Sequence, residues 1–237
     1  MEISICLFKH LLKFAFQPIG AIMIISVTSL KGGVGKSTIS QNLAVCFAHA
    51  GYKVCIFDVD TNQSAIRWSG LRPDDAPAIP VFGQPDGIEL SKNVKHLNKD
   101  YEIILIDGTP SLNKVTSKII MLADLLLIPI LPSGLDMWAT EQFLQRYQDA
   151  VEEREQKIPA YFLINQFQPN TNLSKEVREI LEDTEIPVLD NTLKSRTAYR
   201  EAVIKGLGVV EYKDDKARAE TIGLFNEITE IIKELNQ

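Results

Sequence analysis

Two lysines five positions apart lie in the segment with the clearest chemical signature in this sequence. The segment Leu30–Thr38 reads LKGGVGKST and follows a short apolar run. Gly35, Lys36 and Ser37 form the closing half of the phosphate-binding pattern GxxxxGK followed by Ser or Thr. Backbone N–H groups and a helix N-terminus hold phosphate in such a loop, while the lysine neutralises charge and the hydroxyl ligates Mg²⁺. A glycine turn with an incidental lysine is the alternative, and a strand before and a helix after argue against it.

Carboxylates end two further apolar runs. IILI is followed by Asp107, which predicts a Walker B carboxylate near Mg²⁺, acting through a bound water. VCIF is followed by Asp58 and Asp60, which could be helix-cap or turn residues if they stood alone. Their position one helix after a phosphate loop favours a role in the nucleotide site instead.

Five continuous apolar runs must position these groups, and each is typical of a strand that is buried on both faces. The runs are 24–27, 54–57, 103–106, 125–130 and 161–164. Helix-length stretches follow or separate them at 36–50, 135–155, 173–183 and 219–235. This order predicts a three-layer α/β fold, with a mostly parallel twisted sheet flanked by helices. Residues 68–90, rich in Pro, Gly and Asp, are predicted to form a long surface excursion.

Composition sets the class of protein. The 237 residues are 45% hydrophobic and 24% charged, which is ordinary for a globular chain with one sizeable core. The three cysteines form no CxxC pair, so we expect a reducing, cytoplasmic compartment and no cysteine-based metal site. A net charge of -6 excludes nucleic-acid binding over the whole surface, so any DNA contact must come from a local basic patch.

Residues 1–22 differ from the single domain expected at 23–237. They are apolar and aromatic, yet too short and too charged for a membrane span, and they lack the charge pattern of a signal peptide. Two interpretations stay open. Met23 is the true start, or the extension is a short amphipathic helix that touches a membrane or a partner.

The form KGGVGKST, with Leu30 in place of the opening glycine and Lys31 added, resembles the deviant Walker A motif of the ParA/MinD superfamily. From Met23 to near its end the chain is similar to small ParA-type partition ATPases that lack an N-terminal helix-turn-helix domain. The resemblance implies a P-loop NTPase fold and ATP with Mg²⁺ as cofactors. It also implies a nucleotide sandwich homodimer, in which Lys31 reaches the partner's phosphates.

The resemblance extends to further site residues. Asp58 and Asp60 correspond to a DxD element in which the second carboxylate orients the attacking water, although Thr61–Gln63 departs from the usual Pro-Gln. Asp58 joins Ser37 and Asp107 as expected metal ligands, and Lys31, Lys36 and Asp60 are the expected catalytic residues. The expected ATP-binding residues are Gly32, Gly33, Val34, Gly35, Lys36, Ser37, Thr38 and, for adenine, Asn165. An asparagine after a strand is also a common turn former.

Segment 191–218 resembles the C-terminal ParA region that contacts DNA. It contains seven Lys or Arg against four acids, a local charge of +3. Lys194, Arg196 and Arg200 are the predicted DNA contacts, although the basic positions do not match the family one for one. A solvated mixed-charge surface is the alternative.

These features predict a slow ATPase that dimerises with ATP, binds nonspecific DNA, associates with the nucleoid and partitions a plasmid or chromosome through a ParB-like partner. Two alternatives stay open. A MinD-like membrane-cycling regulator would need a basic C-terminal helix, and this chain ends in the acidic IGLFNEITEIIKELNQ, so membrane binding is not expected. The same ATPase could also position a protein organelle or a chemotaxis cluster.

Overall fold

A computed structural model gives the structure of residues 22–84, 89–111, 114–132, 137–169 and 171–236. The N-terminal extension expected at 1–22 lies outside these residues except for Ile22. The strands are β1 (Met23–Val27), β2 (Val54–Asp58), β3 (Val81–Gly83), β4 (Ile103–Asp107), β5 (Leu125–Ile130), β6 (Ala160–Phe167) and β7 (Leu193–Lys194). The helices are α1 (Lys36–Ala50), α2 (Ser64–Ser69), α3 (Leu90–Leu97), α4 (Lys114–Leu122), α5 (Met137–Arg154), α6 (Asn172–Glu182), α7 (Thr197–Val203) and α8 (Asp215–Leu235), and Val209–Glu211 forms a short 3-10 turn.

The described strands form one parallel sheet in the order β3-β2-β4-β1-β5-β6-β7. Alternate residues of each central strand enter different cores, because successive side chains point to opposite faces. Ile25 and Leu105 pack with α1 and α8 on one face. Ile24 and Ile104 pack with α3 and α4 on the other. The predicted three-layer α/β fold is confirmed.

The expected surface excursion at 68–90 is partly wrong. Trp68 and Ile79 are buried in the core, and Val81–Gly83 pairs with β2 as the edge strand. Its three residues are too few to show a hydrophobic period, and the surrounding prolines indicate a loop. Among the predicted helices, α8 begins at Asp215 rather than at 219, because Asp214 accepts a hydrogen bond from the Ala217 N–H and caps it.

Pairing in register brings the chemically active strand ends together. Val27 of β1 and Asp58 of β2 both lie opposite Asp107 of β4, the strand between them. In a parallel sheet with helices on both faces, ligands bind at this carboxyl edge. The fold therefore places both carboxylates beside the loop that follows β1.

A buried ion-pair cluster fastens the C-terminal region to this core. The Glu211 carboxylate accepts hydrogen bonds from His49 of α1 at 2.8 Å and from Arg72 at 2.8 and 3.1 Å. The Val209 N–H donates to the Asn42 side chain, also on α1, at 2.7 Å. The 3-10 turn Val209–Glu211 is thus hydrogen-bonded to α1, the helix that begins at the glycine loop.

No helix among the residues described is long and apolar enough to cross a membrane.

Candidate functional site

Two glycines give the loop after β1 its shape. Gly33 has φ 75° and Gly35 has φ 92°, in the left-handed region that side chains other than glycine's disfavour. Gly35 is also the N-cap of α1, and a Cβ atom there would clash with the Asn165 side-chain amide. The glycines predicted from sequence therefore serve both the turn and the close approach of β6.

Lys36 is buried beneath this loop, with 5% of its surface exposed. Its Nζ donates to the Lys31 carbonyl oxygen at 3.0 Å. Burial lowers the pKa of Lys36, and the nearby Asp107 and Asp60 partly oppose that effect. Lys36, Ser37 and Thr38 line an open cleft together with the loop glycines, whereas Val34, also expected to bind ATP, is buried and borders a second cleft.

Asp107 is fully buried, and neither of its carboxylate oxygens has a hydrogen-bond partner of normal geometry in the structure described. Burial and the neighbouring Asp58 raise the pKa of Asp107 to about 8, against the opposing influence of Ser37 and Lys36. An unpartnered buried carboxylate is costly, and a cation would relieve the cost. The oxygen donors of Asp107, Asp58 and Ser37 fit Mg²⁺, which prefers such ligands and retains waters.

Asp58 has the structural role, at a turn and a helix start, that the sequence offered as an alternative. Its carboxylate accepts hydrogen bonds from the N–H groups of Asp60 at 3.0 Å, Ala65 at 2.9 Å and Ile66 at 3.4 Å. It thereby holds the start of α2, and burial raises its pKa despite these bonds. Asp60, 8% exposed, accepts from the Asn62 N–H and lines the cleft, where a water-orienting residue must lie.

Asn165 and Gln166, at the end of β6, hold the glycine loop. The Asn165 amide donates to the Val34 carbonyl at 2.7 Å, and its side-chain oxygen accepts from the Gln166 N–H at 2.9 Å. Gln166 donates to the Gly33 carbonyl at 3.3 Å from a left-handed backbone with φ 53°. Sequence reasoning missed Gln166, and its adjacency to Asn165 is the signal that could have found it.

The three basic residues assigned to DNA lie in the wall of the same cleft. Lys194, Arg196 and Arg200 line it together with residues of the glycine loop. Both carboxylate oxygens of Glu220 accept hydrogen bonds from Arg196, the shortest at 2.6 Å, and Lys194 lies 3.5 Å from the same carboxylate. Glu220 lies just after the segment 191–218, so the local charge of +3 counted for that segment did not include the acid that pairs with Lys194 and Arg196.

Lys31 occupies a different place from Lys36. It lines a second, mainly apolar cleft with Leu30, Pro129 and Thr140, and its backbone carbonyl accepts the hydrogen bond from Lys36. Within the described residues no cluster of three or more His, Cys, Asp or Glu could hold a metal ion. Magnesium would therefore depend on the Ser37 hydroxyl, the two aspartates, phosphate oxygens and water.

The fold and the glycine loop define a nucleotide-binding protein of the P-loop class. Residues 25–209 match the model of the CobQ/CobB/MinD/ParA nucleotide-binding domain, and the chain belongs to this family. The resemblance to the ParA/MinD superfamily predicted from KGGVGKST is confirmed.

The similar proteins include both ParA-type and MinD-type members. Maintenance of carboxysome distribution protein A of Halothiobacillus neapolitanus is 30% identical over 189 residues, which cover 79% of this chain and 86% of that protein. Protein ParA of Rhizobium radiobacter is 26% identical over 223 residues, covering 89% of this chain and 99% of that one. The septum site-determining protein MinD of Pyrococcus horikoshii, complexed with Mg-ADP, has a TM-score of 0.74 at 19% identity and covers 90% of this chain and 98% of its own.

Proposed function

We propose that the chain is a Mg²⁺-dependent ATPase that dimerises with ATP, binds DNA nonspecifically and partitions a plasmid or chromosome through a ParB-like adaptor. The observation that carries the proposal is the separation of the two loop lysines. Lys36 lies buried in the phosphate cleft of its own subunit, whereas Lys31 lines the cleft beside it. In this proposal the second subunit receives Lys31, as an arginine finger is supplied in trans, while Lys36 serves the phosphates of its own subunit.

Each site residue then has a defined task. Lys36 neutralises phosphate charge, and the Gly33–Thr38 backbone donates N–H groups to the phosphates. Ser37, Asp58 and Asp107 hold Mg²⁺, which shields the charge of the phosphates. Asp60 orients the attacking water, and Lys31 from the partner stabilises the transition state. Hydrolysis therefore requires the dimer, and Asn165 contacts the adenine.

Matched substitutions in the two lysines test this scheme. Lys36→Ala should abolish binding of a fluorescent ATP analogue, because it removes the cation inside the cleft. Lys31→Ala should retain nucleotide binding but lose ATP-dependent dimerisation, measured by light scattering, and lose hydrolysis. If the Lys31→Ala protein hydrolyses ATP at the normal rate, the role in trans is wrong.

DNA binding is tested separately with random duplex DNA at low salt. Asp60→Ala should trap the ATP-bound dimer and retard DNA more strongly than the normal protein does. If ATP-loaded protein and the Asp60→Ala protein both leave DNA unretarded, the partition function is abandoned. In cells, a fluorescent fusion should follow the nucleoid, and the Lys31→Ala fusion should spread through the cytoplasm.

A protein organelle is the second candidate cargo. The observation in its favour is the 30% identity to a protein named for carboxysome distribution. Deleting the gene should then disturb the distribution of an organelle in the cell while a resident plasmid remains stable, and plasmid loss would favour the first candidate. Association with membranes is not part of either scheme, and liposome co-sedimentation of the full chain against one that starts at Met23 tests the extension.

A further inference from the structure

Two neighbouring helices carry basic residues without any acid. Residues 90–99, which comprise α3 and the first two residues of the turn after it, contain Lys92, Lys95, His96 and Lys99 and no Asp or Glu, and single acids, Glu89 and Asp100, flank them. Residues 114–122 of α4 contain Lys114 and Lys118 and again no acid. In a chain with 31 acidic and 25 basic residues, this concentration is unusual. It creates a local positive potential on a protein whose overall charge is negative.

These basic side chains face solvent together. Lys92, Lys95, His96 and Lys99 are exposed and border one shallow depression of the surface. The ion pair between Lys92 and Glu89 is long, at 3.6 Å, and both side chains are more than half exposed, so it neutralises little. Lys114 of α4 is also exposed, and both helices pack on the same core cluster.

Two of the three residues that sequence assigned to DNA, Lys194 and Arg196, are less available than the lysines of α3. One carboxylate, Glu220, engages both Lys194 and Arg196, and these residues line the nucleotide cleft. A DNA phosphate would have to displace that carboxylate and compete with bound nucleotide. Lys92, Lys95 and Lys99 lie outside the nucleotide cleft, and the acid paired with Lys92, Glu89, is more than half exposed, so its displacement by phosphate costs less.

The spacing of the lysines fits a polyphosphate. Lys92 and Lys95 lie one helical turn apart, and Lys99 follows in the next turn, so the three span about 10 Å along the helix. Duplex DNA presents a phosphate about every 3.4 Å along each strand, so about three phosphates match this length. The exposed face combines lysine, histidine and serine, without the apolar side chains that an interfacial membrane helix buries.

We propose that the α3–α4 basic surface, defined as Lys92, Lys95, His96, Lys99 and Lys114, holds the phosphate backbone of nonspecific duplex DNA. The inference rests on the proposed DNA-dependent function and assigns its contact surface. Because the contact is electrostatic, it carries no sequence preference and weakens steeply with salt.

The test is a triple substitution, Lys92→Gln with Lys95→Gln and Lys99→Gln, in the full chain. A control triple, Lys53→Gln with Arg67→Gln and Lys157→Gln, removes the same charge from exposed basic residues outside both this surface and segment 191–218. Fluorescence anisotropy with a random duplex and ATP-loaded protein measures affinity over a salt series. We expect the first triple to lose at least about tenfold in affinity and to reduce the slope of log K against log salt by about 5, because each subunit of the ATP-bound dimer loses three lysines.

The controls separate two failures. The first triple should keep normal ATP-dependent dimerisation and ATPase rate, since its residues lie outside the nucleotide cleft. Normal DNA affinity in that triple, or an equal loss in the control triple, would overturn the inference while leaving the proposed function intact. A loss confined to binding of anionic vesicles would also overturn it. If the unmodified protein binds no DNA with ATP, the proposed function itself fails, and this inference fails with it.

Discussion

Glu211 should be among the most consequential carboxylates for stability. Its side chain is 11% exposed and accepts hydrogen bonds from Arg72, His49 and the Gly208 N–H. These partners outweigh the burial that opposes them and lower the pKa of Glu211 from its ordinary 4.5 to about 2. That difference corresponds to about 3 kcal/mol of folding free energy at neutral pH. Removing one member of a buried ion pair costs about 3–5 kcal/mol, which agrees.

Glu211→Gln therefore should lower the free energy of unfolding by about 3 kcal/mol at pH 7. Because the folded-state pKa is depressed, the stabilisation exists above pH 4.5 and is lost as the pH falls toward 2. The difference between the two proteins should consequently shrink across that range. Arg72 stays buried and uncompensated in the variant, which is the main cost at neutral pH.

Urea unfolding followed by tryptophan fluorescence measures this effect. Trp68 is 1% exposed and lies under the Arg72 guanidinium at 5.1 Å, whereas Trp138 is 68% exposed. A Trp138→Phe background therefore isolates the probe beside the ion pair. Glu230→Gln is the control, because its pair with Lys233 is exposed and should change stability by less than about 0.5 kcal/mol. A Glu211→Gln loss below about 1 kcal/mol, or one that is constant from pH 7 to pH 3, would refute the reasoning.

Three further predictions concern the nucleotide site. Gln166→Gly should stabilise the protein by about 1 kcal/mol, because glycine adopts the left-handed backbone without strain. The same substitution should weaken ATP binding, because the side-chain amide that holds Gly33 is lost. Calorimetry measures the stability and titration with a fluorescent ATP analogue measures the affinity, and an unchanged affinity would contradict the second expectation. Gly35→Ala should abolish nucleotide binding in a folded protein, checked by the same titration beside circular dichroism, because its φ of 92° is strained for alanine. Asp107→Asn should raise the stability of the magnesium-free protein by about 1–3 kcal/mol above pH 8, because the buried carboxylate of the normal protein is charged there. The same substitution should eliminate magnesium-dependent hydrolysis. A destabilised variant would count against this account of Asp107.

The strands that carry the site could be predicted because each is buried on both faces. Runs such as IILI before Asp107 contain enough consecutive apolar residues to identify a strand without a period. The edge strand Val81–Gly83 could not be found, since it is short and only partly buried. What identifies it is pairing with β2, which is a property of the fold and not of the local sequence.

The same distinction separates the parts of the site. Gly35, Lys36 and Ser37 are adjacent in sequence, so the spacing alone predicts their loop. The Asn165 amide donates a hydrogen bond to the carbonyl of Val34, 131 positions away, and no local sequence pattern predicts such a contact. Glu220 similarly neutralises Arg196 from a different helix, so a charge count over one segment overestimated its basic character.

The layered fold constrains how ATP could control the proposed DNA contact. The glycine loop opens into α1, which packs with α8 on one face of the sheet, whereas α3 and α4 pack on the opposite face. Lys92, Lys95 and Lys99 accordingly line no part of the nucleotide cleft of their own subunit. ATP can strengthen DNA binding by joining two such surfaces in a dimer, since a second contact on the same duplex multiplies affinity without new chemistry. On this view a monomeric Lys31→Ala protein retains weak DNA binding with about half the salt slope of the dimer, because half of the phosphate contacts remain.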